Sequence, residues 1–563
     1  MKKTISSPLS YILIFALFLL SSSSTMEAQT LVGERKMKDF PTNNPWYYPY
    51  DFSSYTMDQI QLLHTPAVRV SEGEFIHLWQ SEKGATRERH LTKYNIFLDQ
   101  EWDTAFKLDS EEEIMHFYCE DSLVVVLSSK YNFLSNIHQV IARVFDRENG
   151  TAEYTRLLWE TTTRVDEPVW FDFSPDSSRF MLFIFRNDHP YRRVRTSYDP
   201  WLGTERVGFR VTNAEYVEFH TYDRQMTLTD TGRVTLANRR LTTMDCQIDN
   251  AGNVYVSTIE KPETLWVIQW KQKDRTQQSL HYDDFPDRNE IREYYYTRFP
   301  PVTGTEDRLY IAVADRVEKG KQRGIKSWQV INFDFAANTV DLSRKIEVTS
   351  TLLVNAEKQR KSFGMRPLKR FDQFMIMDIV EMADKSVWLI TQYYQTNQAR
   401  TYGIEPAGYR QPEQEIGEII LFGFDPKGQA RQVIIVPTSQ RTIKTADLLG
   451  HFFDLTIDRQ KGIMRFVTRE ASEDNLRGPD RIFYRKVNLN TGEISPRMML
   501  YDGKRREQLL LKAYTLWLNP SLVTLVMIDG EEGNAYTVCI NVDSEETETE
   551  ESKKKKEKEK GWR

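Results

Sequence analysis

A strand, a tight turn and a second, more apolar strand recur along this chain of 563 residues, and that repetition decides the fold class. The unit is plainest in FDFSPDSSRFMLFIF (Phe171–Phe185). It returns in VRVSEGEFIHLWQ (Val68–Gln80), HFYCEDSLVVVLSS (His116–Ser129) and DCQIDNAGNVYVSTI (Asp245–Ile259). Further copies are PPVTGTEDRLYIAVA (Pro300–Ala314), MDIVEMADKSVWLITQYY (Met377–Tyr394), HFFDLTIDRQKGIMRFVT (His451–Thr468) and YTLWLNPSLVTLVMID (Tyr514–Asp529). Runs rich in Val, Ile, Phe, Tyr and Thr, bounded by Asp, Asn, Gly and Pro, mark strands and turns, and helical periodicity is almost absent.

A second pair of strands follows most copies, as in VIARVFDRENGTAEYTRLLW (Val140–Trp159) and EIILFGFDPKGQARQVIIV (Glu418–Val436). Their turns, RENG and DPKG, carry the Asn and Gly that tolerate positive φ. One unit of each kind makes a four-stranded antiparallel meander. Meanders in series, about 50 to 70 residues apart, are the blades of a β-propeller. The expected fold is therefore all-β, a β-propeller of four-stranded antiparallel blades over residues 68–542. Eight blades are favoured, with seven as the alternative, because the first and third units are irregular. The last unit lacks a fourth strand, since AYTVCINVD (Ala535–Asp543) runs into a charged tail. The stretch MDQIQLLHT (Met57–Thr65) is the expected closing strand, and closure would remove the open sheet edges.

Two turns carry a family likeness. SPDSSRFMLF (Ser174–Phe183) resembles the Ser-Pro-Asp-Gly turn and following strand of the WD40-like repeats in TolB-type propellers, with Ser177 where that pattern has Gly. IDNAGNVYVS (Ile248–Ser257) is similar to the Asp-x-x-Gly-Asn-x-Tyr-Val turn of other secreted propellers. The two stretches cover about twenty residues. The resemblance implies a propeller fold and no particular activity.

The N-terminus reads as a targeting segment. Lys2 and Lys3 precede the apolar run LSYILIFALFLL (Leu9–Leu20), and the small-residue exit SSSSTMEAQT follows. That is the pattern of a secretory signal peptide over residues 1–28, cut near Ala28 or at Ser22–Ser24, with an uncleaved anchor as the alternative. No later segment is apolar for long enough to cross a bilayer, so no transmembrane segment is expected after signal removal. The expected destination is the periplasm, the cell surface or the medium. Residues 29–67 hold the aromatic NNPWYYPYDFSSY (Asn43–Tyr55), read as an extended strap over the disc or a docking segment. Residues 543–563 form a charged tail too polar to bury a core. Cys119, Cys246 and Cys539 lie in strand-like runs without Cys-x-x-Cys spacing and read as buried apolar residues. A net charge of −6 lacks the basic excess of a nucleic-acid binder.

No nucleophile elbow, zinc-protease helix, Walker loop or calcium loop is present, so no catalytic residue, metal or cofactor is assigned. The reading leans away from an enzyme. A propeller-type lyase or glycoside hydrolase, with carboxylates brought together from distant blades, stays open, as does a carbohydrate-binding propeller. What stands out is loop length. In a four-stranded blade the first-to-second and third-to-fourth turns lie on one face of the disc. The second-to-third connections and the links between blades lie on the other, and these carry the long insertions. RNDHPYRRVRTSYDPWLGTERVGFR (Arg186–Arg210) brings Tyr191, Arg192, Arg193, Arg195, Tyr198 and Trp201. QYYQTNQARTYGIEPAGYRQPEQ (Gln392–Gln414) brings Tyr393, Tyr394, Tyr402 and Tyr409. The links DRNEIREYYYTRF (Asp287–Phe299) and KQRKSFGMRPLKRF (Lys358–Phe371) are assigned to the same face. Arginine with aromatics is the composition of interface anchors. The expected function is that of an exported module binding an envelope or surface protein partner.

Overall fold

The computed structural model describes residues 30–37 and 67–543, apart from segments 81–87, 110, 163–168, 189–193, 199–208, 237–240, 261–263, 284–289, 297–306, 318–323, 363–373, 398–412, 439, 443–452, 472–479, 501–507, 511–514 and 530–534. Eight antiparallel sheets, each built on four strands in meander order, follow one another round a ring. The fold is an eight-bladed β-propeller.

Blade 1 comprises Ala67–Arg69, Glu74–Gln80, Glu88–Asn95 and Gln100–Lys107, from the innermost strand to the outermost. Blades 2 to 7 occupy 112–162, 170–235, 241–282, 290–347, 374–436 and 454–499, and blade 8 takes 508–541 with 30–37. Middle strands are buried on both sides, as Val124–Ser129 shows, because each blade is sandwiched between two others. Outermost strands such as Ala152–Thr162 are largely exposed. Each seam between neighbours holds its own apolar cluster, for example Trp328, Phe374 and Phe422 between blades 5 and 6.

The tight turns use a shared device. Asp146, Asp223 and Asp425 each begin a third-to-fourth turn and accept backbone N–H bonds from within it, through Oδ1. Gly150, Met226 and Gly428 then take positive φ, the last step before the outer strand. Ser177, standing where the resembled pattern has Gly, also adopts φ 56°.

The ring closes through an earlier segment than expected. Thr30–Met37 is the outermost strand of blade 8 and pairs antiparallel with Ala535–Asn541, Thr30 opposite Asn541 and Met37 opposite Ala535. The expected strand, 57–65, lies outside the described residues. The innermost strand of blade 8 is split into Gln508–Leu510 and Leu516–Asn519, both paired to Leu522–Asp529. Two further expectations change. Asp287–Phe299 is no free link, because Glu290–Tyr296 is the innermost strand of blade 5 and pairs with Arg308–Val317. A helix, Ser350–Ser362, joins blades 5 and 6, started by Thr349, whose hydroxyl accepts the Leu352 N–H at 3.1 Å. Cys246 and Cys539 are buried as expected, Cys119 is half-buried, and all three are free thiols.

The closing seam, between blades 8 and 1, differs from the rest. Among the described residues its cluster has six buried apolar residues, including Phe75, Tyr94, Leu518 and Cys539, whereas the neighbouring blade 1–2 cluster has nine. Polar bridges supplement it. Arg35 of the closing strand donates to Leu98 O at 2.8 Å and to Gln100 Oε1 at 3.0 Å, and Arg69 donates to Leu518 O at 2.8 Å. His77, fully buried beside Phe75 and Tyr94, lies on the same side of its blade. The chain enters the fold at Thr30 and leaves it at Asp543, both at the short-turn face. Asp543 belongs to the propeller rather than to the tail, accepting bonds from Tyr484 at 3.1 Å, Ser521 at 3.0 Å and Arg465.

Two outcomes follow. Deletion of residues 30–37 should leave an open edge at Ala535–Asn541, lower the Tm and produce oligomers by size-exclusion chromatography. A monomer of unchanged Tm would show that the strand is dispensable. Burial lowers the His77 pKa to about 3, so the unfolded chain takes up a proton near pH 6.5 that the native chain refuses. Stability from this group is full above pH 6.5 and falls as pH drops, by roughly 2 kcal/mol between pH 7 and 5. His138, lowered to about 4 by burial, acts alike, while Asp249, raised to about 6 by burial, acts oppositely. Comparing urea unfolding of the native chain and His77→Leu at both pH values isolates His77, and the variant should show the flatter dependence.

Candidate binding face

Antiparallel strand order puts the connections 187–215 and 398–412 on one face, since each joins a second strand to a third. The links 348–373 and 437–453 run from outermost to next innermost strand and lie on that face too. The opposite face has short turns, with two exceptions, 297–307 in blade 5 and 489–497 in blade 7. The asymmetry in loop length is thus an asymmetry between the two faces of the disc.

The 187–215 connection is built into the fold. Arg195–Tyr198 and Phe209–Thr212 form a hairpin in which Arg195 stands opposite Thr212 and Tyr198 opposite Phe209. Phe209 pairs with Met244 on the inner edge of blade 4, extending that blade to six strands. Two added strands project about 10 Å from the blade edge toward the propeller axis. Val194 and Val211, at the foot of the hairpin, are buried with Trp170, Phe183 and Phe185 between blades 3 and 4. The hairpin therefore grows from the core.

Its base is braced by charge. Arg186 Nε bonds Glu218 at 3.1 Å, and its Nη1 donates to Thr162 O of blade 2 at 2.8 Å. Arg233 lies over the Tyr216 ring, 3.4 Å from its centroid, and donates to Asp188 at 2.7 Å. That hydrogen bond holds the Asp188 carboxyl below its ordinary range. Deeper under the face, Arg143 grips buried Glu112 in blade 2, and Arg485 and Arg497 grip Glu470 in blade 7.

Blade 6 supplies a second raised feature. Val387–Asn397 and Glu413–Phe424 continue as a two-stranded ribbon past Tyr393, where pairing with the innermost strand stops. Gln440–Thr442 then joins the ribbon as a third strand, opposite Gln414–Ile416.

The anticipated site residues divide accordingly. Tyr191, Arg192, Arg193, Trp201, Tyr402 and Tyr409 lie outside the described residues. Arg195 and Tyr198 are on the hairpin strand, and Tyr394 is in the ribbon opposite Ile416. Tyr393 is not a displayed residue. It is 9% exposed, stands edge-on to Phe374 at 5.5 Å and covers Gly417, where an added Cβ would meet its ring at 2.9 Å.

Sequence reasoning missed a feature of the inner wall. Asp172, Asp245, Asp378 and Asp454 occupy corresponding places on four innermost strands, each after Phe or Met. Their carboxylates accept backbone N–H bonds at that edge: Asp245 from Cys246, Asp378 from Ile379, Asp454 from Leu455, and Asp172 from Ile248 of the next blade. They satisfy donors that the innermost edge would otherwise leave without a strand partner. The recurring Phe-Asp or Met-Asp pair was the available signal. Among the described residues no group of three or more His, Cys, Asp or Glu is placed to hold a metal ion.

No protein-family model and no curated protein matches the chain. Solved structures resemble it. A structure from a study of two prolyl endopeptidases aligns over 93% of this chain and 60% of its own, at 8% identity and a TM-score of 0.39. The β-propeller domain of the Trilobed protease from Pyrococcus furiosus aligns over 77% and 94%, at 9% identity and a TM-score of 0.33. A PL25 ulvan lyase aligns over 75% and 90%, at 8% and 0.34. The chain spans 60% of the length of the first of these, and similarity this low assigns no activity.

Arg186→Ala should cost about 1–3 kcal/mol, the scale of charge-assisted bonds lost at a half-buried site. It should also speed proteolysis within 189–208, which limited digestion with mass mapping would locate. Unchanged cleavage would remove Arg186 as the brace.

Proposed function

We propose that this protein is an exported, non-enzymatic propeller that binds a protein partner of the bacterial envelope through its long-connection face. The observation that carries the reading is the concentration there of built features: the inserted hairpin, the blade 6 ribbon and the helix Ser350–Ser362. Loops on a rigid scaffold are where recognition is commonly placed, and secondary structure within them lowers the ordering cost of binding. The Arg- and Tyr-rich composition of both insertions suits an interface core. The hairpin's inward reach favours a surface that receives a partner across the disc. Export is supported by the basic start and apolar run ending at Leu20.

Affinity capture from the organism's own envelope extract tests the reading. The combined variant Arg192→Ala, Arg193→Ala, Arg195→Ala should lose the partner. A matched variant on the short-turn face, Lys273→Ala, Lys427→Ala, Lys461→Ala, should retain it. Equal capture by both would remove the hairpin from the interface.

A further inference from the structure

The connection between the second and third strands of blade 2 is a four-residue turn, 133–136, on the long-connection face. Its tip exposes two adjacent bulky apolar side chains, Phe133 to 62% and Leu134 to 98%. The turn does not need them. Asn132 Oδ1 accepts the N–H groups of Leu134 at 2.9 Å and Ser135 at 3.2 Å, and the Tyr131 hydroxyl donates to Asn136 Oδ1 at 2.9 Å. Asn136 supplies the positive φ, 54°. Polar residues at 133 and 134 would close this turn equally well. The Phe133 ring is restrained, standing edge-on to Tyr131 at 4.9 Å, so the tip is presented in a defined shape.

A single exposed apolar residue is ordinary, as is Phe97, 64% exposed on the opposite face. An adjacent pair on a stiff turn is different, and its surroundings say what would cover it. The same end of blade 2 carries Asp109, Glu111 and Glu160 against Lys130, which pairs with Asp109 at 2.6 Å, while Glu112 is held by Arg143 and the nearby Arg186 is paired with Glu218. An acidic collar repels anionic lipid headgroups and attracts a basic rim. We propose that Phe133 and Leu134 are the apolar anchor for a protein partner whose hydrophobic pocket is bordered by Lys and Arg. The proposal rests on the reading of this face as a recognition surface, and it names an anchor there.

The test places p-benzoylphenylalanine at position 134 of the full-length protein, or at position 97 as control, and illuminates it in envelope extract. The expected result is crosslinking from 134, and not from 97, to an apolar segment flanked by Lys or Arg in another protein. Capture should weaken about tenfold or more in Phe133→Ser, Leu134→Ser, as expected for losing two buried apolar anchors. Crosslinks to a second copy of this chain, or equal labelling from 97, overturn the proposal. So does Leu134-dependent binding to phosphatidylglycerol–phosphatidylethanolamine vesicles, which would make the tip a membrane contact. If the triple arginine variant loses the partner and the tip variant does not, the anchor is wrong and the face reading stands. If neither loses it, both fail. The tip side chains are exposed, so an unchanged Tm confirms that the variant is folded.

Discussion

The ladder between Thr30–Met37 and Ala535–Asn541 is the interaction on which the rest depends. A blade in this fold has no core of its own, because its two sides are covered by its neighbours. Leu127, Val330 and Leu421 are fully buried, each in the cluster its blade shares with the next blade round the ring. An open array would expose one apolar side at each end as well as the free edge of the last sheet. Joining the first described strand to the last converts the array into a ring in which every side is covered. The loop so closed spans about five hundred residues, yet closure entropy grows only with the logarithm of loop length. The seam that completes the ring is supplemented by polar bridges through Arg35 and Arg69, and it contains the buried imidazole of His77.

Rigidity on one face makes elaboration affordable on the other. Short turns with an Asx residue and one positive-φ position hold the strand ends with few residues. The strands can then carry long excursions at their opposite ends without loss of register. The hairpin from blade 3 uses this freedom to pair with blade 4, so it locks two blades together while occupying the axial side of the disc. Arg186 adds a tie between blades 2 and 3 at the same level. The long connection and the inter-blade fastening are thereby the same piece of chain.

Much of this was legible in the residues, and the failures have physical causes. The paired-strand repeat is a local signal of alternation and turn chemistry, and it yields eight blades because each unit carries its own copy. The closing strand was misplaced because TLVGERKM (Thr30–Met37) is short and partly charged, and its pairing partner lies at the far end of the chain. Glu290–Tyr296 looked like a link because its following turn, 297–307, breaks the short-turn rule. The helix Ser350–Ser362 has a capping Thr and several good helix formers but only a weak apolar stripe, so periodicity did not reveal it. Tyr393 proved to be a core residue over Gly417, because composition cannot tell a core tyrosine from a displayed one. The inner-wall aspartates went unnoticed because nothing in the residues marks which strand of each unit is innermost, and only that strand has an edge without a neighbour to satisfy.

Thr30 and Asp543 share the short-turn face, so the chain enters and leaves the disc from behind. Anything attached through either route, whether a lipid surface, a second domain or an affinity tag, holds the propeller by its back plate. The hairpin, the ribbon and the Phe133–Leu134 tip then point away from the attachment. The elaborated face is thus opposite both points at which the chain joins the disc.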